Sequence, residues 1–135
     1  RLDRDSEGLL LFTNDGALTQ RLLHPSHQVD KVYIVSVSGA DEGSAGCLRA
    51  VTSLDGQPIA PAQVDELYRR GDRAEYRVVI HQGKKRQIRR MCAAVGLTVT
   101  RLCRIAEGGL ELGALPPGRW RYLTAGELES IKGSD

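Results

Sequence analysis

Asp3 lies two residues after Arg1 and directly before Arg4, ahead of the apolar run Leu9-Leu10-Leu11-Phe12. A lone carboxylate between two arginines, at the edge of a packed element, can be kept ionised by a cationic partner and presented to a ligand instead of being lost in a solvated loop. Asp3 is therefore the first candidate for chemistry. The ordinary alternative is a surface charge beside arginines, so a second constellation has to support it. That constellation is Gly83-Lys84-Lys85-Arg86-Gln87-Ile88-Arg89-Arg90-Met91, in which Lys84, Lys85, Arg86, Arg89 and Arg90 put five cations into seven residues with no acid among them. Charge runs are commonly solvated helix faces. Five cations at the entrance to a helix, unaccompanied by acids, are better explained by phosphate binding.

The elements that must position these residues are legible from periodicity. Leu9 to Thr13 reads as a short buried strand, ended by Asn14-Asp15-Gly16, after which Leu18, Leu22 and Leu23 form one helical face that stops before Pro25. Val29 to Ser38 alternates, with Lys31, Tyr33, Val35 and Val37 on one face and Val32 and Ile34 on the other, so a strand aims Tyr33. Residues 41–51 make a weak helix containing Gly43 and Gly46, and Leu54-Asp55-Gly56 turns the chain. Ala62 to Tyr68 and Ala74 to His81 form an antiparallel hairpin whose buried side carries Tyr76, Val78 and Ile80.

From Lys85 to Val95 the period becomes helical, with Ile88, Met91, Cys92 and Val95 in register and Gly96 as C-cap. This spacing points Arg89 to the seam between helix and sheet and leaves Lys84, Lys85, Arg86 and Arg90 wet. Thr98 to Ile105 and Leu110 to Leu112 are further strands split by Gly108-Gly109, and Thr124-Ala125-Gly126-Glu127 is a capping box for a terminal helix with Leu128 and Ile131. The pattern predicts one α+β domain, its sheet mostly antiparallel or mixed, with flanking helices.

Composition bounds the function. With 135 residues, 41% hydrophobic and 27% charged, the chain suits a single domain that buries roughly two-thirds of its unfolded surface. Cys47, Cys92 and Cys103 form neither a disulfide framework nor a zinc motif, which predicts a reducing, cytoplasmic setting. No apolar run approaches the length of a membrane span, and no signal peptide is evident. A net charge of +2 argues against bulk electrostatic binding to nucleic acid. His24 and His27 flank a helix-breaking Pro25 with no third ligand near, so no metal is expected. Ser6 has no histidine in a triad relation, and no P-loop or dinucleotide motif occurs, so no cofactor is expected either. The chain opens with Arg1, not Met, and is read as a processed or truncated piece of something longer.

The residues 1–16 (RLDRDSEGLLLFTNDG), the Lys31-Val32-Tyr33 triplet, Arg86-Gln87-Ile88-Arg89-Arg90-Met91 and Leu115-Pro116-Pro117-Gly118-Arg119-Trp120-Arg121 closely resemble the RsuA-type ribosomal RNA pseudouridine synthases. The resemblance spans almost the whole chain, with four separated motifs in the right order. It implies a catalytic domain over residues 1–135 that is incomplete at its N-terminus and lacks the upstream S4-like RNA-binding domain of many members. Asp3 would be the catalytic aspartate that isomerises a uridine, paired with Arg89, which holds its pKa down. Tyr33 would stack on the target base and assist proton transfer from C5, and Lys31 would line the same cleft. Arg1 matches a position whose side chain takes the place of the flipped uridine in the RNA stack.

Ile88 and Leu102 are apolar candidates for the pocket wall, although ordinary core is the commoner role for each. Lys84, Lys85, Arg86 and Arg90 would attract RNA phosphates. Gly83-Lys84-Lys85 departs from the family's usual Gly-Arg-Asn, which keeps positive charge but replaces a planar fork by flexible ammonium groups. The implied partner is ribosomal RNA, with no cofactor, metal or membrane, for an enzyme acting as a monomer. The alternative is a noncatalytic RNA-binding relative that uses the basic helix alone.

Overall fold

The computed structural model describes residues 2–23 and 29–132; Arg1 and the segment with His24 and His27 lie outside the described residues. β1 (Glu7–Gly8) leads to α1 (Gly16–Leu23), β2 (Lys31–Ser38) and α2 (Ser44–Arg49), then to a ribbon of β3 (Ser53–Leu54) and β4 (Gln57–Pro58). The hairpin β5 (Gln63–Arg70) and β6 (Arg73–Ile80) precedes α3 (Gln87–Ala94), followed by β7 (Thr98–Glu107), β8 (Leu110–Glu111) and α4 (Ala125–Lys132).

The main sheet has the order β1-β7-β2-β6-β5, with β8 also on β7. β1 runs parallel to β7, and the other pairs are antiparallel. This is the mixed α+β sheet that the patterning predicts.

The core follows from the two periods. Alternation in β6 sends Tyr76, Val78 and Ile80 to one face, where they meet Val35 and Val37 of β2 and Leu102 of β7. Ile88, Met91 and Cys92 of α3 and Leu48 of α2 cover that face. Met91 is 1% exposed, and burial of such a side chain contributes about 1.5–3 kcal/mol. Helix α3 stops where Gly96 takes φ +82. There the Leu97 amide donates to the Cys92 carbonyl at 2.9 Å and the Gly96 amide to Ala93 at 3.2 Å, a Schellman cap. A smaller cluster of Leu9, Leu18, Leu110 and Ile131 joins the N-terminal segment to α1, β8 and α4. The capping box of α4 is reciprocal: the Glu127 amide donates to Thr124 Oγ1 at 3.1 Å, and the Thr124 amide to Glu127 Oε1 at 2.9 Å.

Two expectations are corrected. Leu9 to Thr13 is no strand, because the parallel ladder covers only Glu7 and Gly8. The Leu9 amide still donates to the Arg104 backbone carbonyl at 2.8 Å, but the Leu9 carbonyl is taken by the Arg104 side chain at 2.9 and 2.7 Å, which ends the ladder. Leu9 and Leu11 then turn into the smaller cluster while Phe12 is 87% exposed. Helix α3 begins at Gln87 and not at Lys85, because Arg86 adopts a left-handed conformation at φ 54.

Gly8 sets the closest backbone approach in the sheet's parallel rung. It has φ +104, and a Cβ there would sit 2.1 Å from the Arg104 carbonyl oxygen, an obstacle that no rotamer change relieves. Gly8→Ala is expected to cost about 2–4 kcal/mol, combining the backbone conformation with the overpacking. Urea unfolding measures it, and a midpoint equal to that of the parent chain would refute the close approach.

Candidate active site

A cleft of about 450 Å³ opens where the N-terminal segment, β2, β7 and the loop before α3 meet. Leu2, Asp3, Arg4 and Ser6 form one wall, and Lys31 and Tyr33 of β2 with Leu102 and Arg104 of β7 form the floor. Ile80 at the end of β6, the stretch from Gly83 to Gln87, and Ile88 of α3 form the other wall. The cleft thus gathers Asp3, Lys31, Tyr33, Lys84, Lys85, Arg86, Ile88 and Leu102, which lie far apart in sequence. Arg89 and Arg90 are not among the lining residues, and Arg1 lies outside the described residues.

The basic run is not free of acids in three dimensions. Asp5 accepts two parallel hydrogen bonds from Arg86, both 2.9 Å, and Arg90 is held by Asp55. Lys84 Nζ donates to the Pro58 carbonyl at 3.0 Å, tying the loop to β4. Of the five cations, Lys85 is the one with no ion pair or side-chain hydrogen bond among the described residues, and it lines the cleft. Arg86 stays exposed and Arg90 partly so, but the expectation that they are unaccompanied by acids is corrected. A gap of 81 residues separates Arg86 from its acid, too far for any local reading.

The expected pairing of Arg89 with Asp3 is corrected too. Arg89 Nη2 donates to the Asp5 carbonyl at 2.8 Å and reaches Ser6 Oγ at 3.4 Å. Its Nε is buried without a hydrogen-bond acceptor, 3.6 Å from Asp5 Oδ1. The reason is a tight turn: the Ser6 amide donates to the Asp3 carbonyl at 3.0 Å, which lays Asp5 and Ser6, not Asp3, over α3. The Arg86 guanidinium, more than the fields of Arg89 and Arg86, pulls the Asp5 carboxyl down to about 2.

Lys31, Tyr33 and Arg104 make the floor largely polar. Burial pushes the Tyr33 phenol up, opposed by the charge of Arg104 and by a hydrogen bond from it, while the charges of Glu107 and Asp3 add to the rise. Lys31 is pulled down by burial and supported by Glu107. Arg104, 1% exposed, and Gln87, 3% exposed, are cleft residues absent from the sequence reading. The signal for Arg104 was its i+2 relation to Leu102 on the same strand face. Gln87 leaves both amide atoms buried without a partner in the cleft wall; its motif singled it out with no role attached. Cys92 is packing, as expected, with its thiol pushed up to about 12 by burial.

This fold and cleft are those of a pseudouridine synthase catalytic domain. A crystal structure of a pseudouridylate synthase superposes with a TM-score of 0.85 at 31% identity, over 96% of this chain and 56% of the other. The chain belongs to the RNA pseudouridylate synthase family, whose description matches residues 1–94. It is 37% identical over 132 residues to a protein of Aquifex aeolicus named as an uncharacterized RNA pseudouridine synthase, covering 97% of this chain and 53% of that one. It is 43% identical over 133 residues to the ribosomal large subunit pseudouridine synthase E of Xanthomonas axonopodis pv. citri, covering 87% and 70%. The chain spans about half the length of the first curated relatives it matches. The family read from the four sequence motifs is thereby established.

The Asp5 clamp has a pH signature. Because its folded value of about 2 lies below the ordinary 3.8, its stabilising contribution is present above the ordinary value and is lost as pH falls through about 2. A carboxyl-detected NMR titration should place Asp5 near 2, and Arg86→Gln should move it up toward the ordinary value. An Asp5 that titrates at its ordinary value in both chains would show that the clamp does not form.

Proposed function

We propose that the cleft converts a uridine of ribosomal RNA to pseudouridine, with Asp3 as the essential carboxylate. The observation that carries this reading is the convergence of Asp3, Tyr33 and Lys31 on one cleft rimmed by Lys84, Lys85 and Arg86. Its volume falls in the range of small-ligand sites, which suits a single extruded nucleoside. The relatives named as large-subunit enzymes make large-subunit RNA the first substrate to test.

The reaction is an isomerisation. The N1–C1′ bond of the nucleoside breaks, the uracil turns, a C5–C1′ bond forms, the C5 proton leaves and N1 ends protonated. Base extrusion precedes this, because the reacting atoms are inaccessible inside a stacked helix. Asp3 acts as the ionised group that attacks C1′ or the ring or removes a ribose proton, each of which needs a carboxylate shielded from water. Tyr33, fixed by its strand, stacks on the turned base and assists loss of the C5 proton. Arg86 holds Asp5 and lines the cleft, and Arg89 anchors the Asp5–Ser6 backbone, so the segment carrying Asp3 is bound to α3. Lys84, Lys85 and Arg4 face the cleft and attract phosphates.

The noncatalytic alternative relies on the basic helix alone. The ion pairs of Arg86 and Arg90 with Asp5 and Asp55 leave that helix less free charge than the sequence suggests, which favours the enzyme reading.

Tritium release from ribosomal RNA labelled at uridine C5 tests the proposal. Asp3→Ala is expected to reduce release at least about 1,000-fold while RNA affinity stays nearly unchanged and falls with salt at a slope of about 0.7 per phosphate contact. RNA binding without release from the parent chain would support the noncatalytic reading. Loss of binding together with turnover in Asp3→Ala would make Asp3 structural.

A further inference from the structure

Arg104 stands at the rung where three strands meet. Register pairs it with Gly8 of β1 on one side and with Tyr33 of β2 on the other. Three hydrogen bonds join it to one residue of the N-terminal segment: the Leu9 amide donates to the Arg104 carbonyl at 2.8 Å, and Arg104 Nε and Nη2 donate to the Leu9 carbonyl at 2.9 and 2.7 Å. The same residue is paired in register with Tyr33, and both side chains line the cleft. Glu107 Oε2 lies 3.7 Å from Nη2 and balances the charge. A buried arginine that only filled the core would need acceptors of any kind. This one takes the backbone carbonyl six residues after Asp3 and stands on the rung of the cleft tyrosine.

We propose that Arg104 is the positioning residue of the cleft, a single rigid guanidinium that fixes the Asp3-bearing segment and the Tyr33 hydroxyl relative to each other. The inference rests on the isomerase reading above and deepens it. The chemistry of arginine suits the task, because its planar fork aims two donors at one carbonyl and keeps others for a second acceptor, whereas a lysine ammonium cannot hold both in fixed geometry. At 1% exposure the residue lies buried in the cleft floor with its fork turned to Leu9, so its effect is expected on turnover more than on affinity. β1 has two residues, so the segment relies on side-chain anchors: Arg86 and Arg89 at Asp5, Arg101 at Glu7, and Arg104 at Leu9 on the rung shared with Tyr33.

The test compares Arg104→Met and Arg104→Lys with the parent chain. Arg104→Met is expected to slow single-turnover tritium release about 100-fold, as a misplaced reacting group does, with the RNA Kd unchanged. Arg104 opposes the upward push of burial on Tyr33, while Glu107 and Asp3 add to that push. Removing the guanidinium should therefore raise the Tyr33 titration, followed by 13C NMR of Cζ-labelled tyrosine. Arg104→Lys returns a charge without the fork, so the titration should move back toward the parent while the rate stays reduced.

Folded Arg104→Met with the parental rate, an unmoved Tyr33 titration, or affinity lost in proportion to rate would each overturn the inference. If Arg104→Met fails to fold, Arg104→Lys decides by the rate alone, and a parental rate overturns the inference. The tyrosine titration needs no turnover. Inactivity of every chain therefore counts against the isomerase reading, whereas an unmoved titration counts against Arg104.

Discussion

A guanidinium stays away from water only if its charge and donors are answered, since the desolvation cost is several kcal/mol per ion. In this chain the Leu9 carbonyl accepts from two nitrogens of Arg104 and Glu107 answers its charge, on the rung that pairs it with Tyr33. The requirement works in both directions. The arginine is tolerable in the sheet because the N-terminal segment folds onto it, and that segment, with only two residues in the ladder, is held in place because the arginine is there. Gly8 belongs to the same arrangement, since the backbones at this rung approach too closely for any side chain.

Upstream of that rung, Asp5 organises the charge. It sits between Arg86 and Arg89 and joins the first turn of the chain to the start of α3. Solvent-exposed ion pairs of this type contribute little to stability, so the consequence is geometric. Arg86 is held in a left-handed conformation with its fork fully engaged, and the loop from Gly83 to Arg86 becomes a wall of the cleft. The clamp also lowers the net positive field over the basic run. Lys85 and Arg4 then carry a larger share of the positive charge that lines the cleft.

The sequence reading succeeded where a local physical rule was strong enough to act alone. Ile88, Met91 and Cys92 had to share a helix face, Tyr76, Val78 and Ile80 a strand face, and Thr124 and Glu127 a reciprocal cap. Arg121 strengthens that cap through two 2.7 Å hydrogen bonds to Glu127, an addition that the capping rule does not contain. The reading failed at Leu9 to Thr13, where apolar character suggested a strand. A strand exists only where a neighbour offers ladder partners, and the run of leucines carries no information about where β7 ends its pairing with β1.

The same division runs through the cleft. Residue types and local spacing were enough to nominate Asp3, Tyr33, Lys31 and the cations before α3, because a carboxylate, a strand-mounted tyrosine and a basic run have chemical meaning by themselves, and the four motifs in order identified the family. Which charges meet was decided only by the tertiary structure. Asp5, not Asp3, receives Arg86 and Arg89; Asp55 receives Arg90; and Arg104, unremarkable in its strand, sits between the N-terminal segment and Tyr33. Hydrophobic and helical periodicities act over a few residues and can be read along the chain. Ion pairs and buried hydrogen bonds act over a few ångströms in space, between residues that only the packing of β1, β7, β2 and α3 brings together.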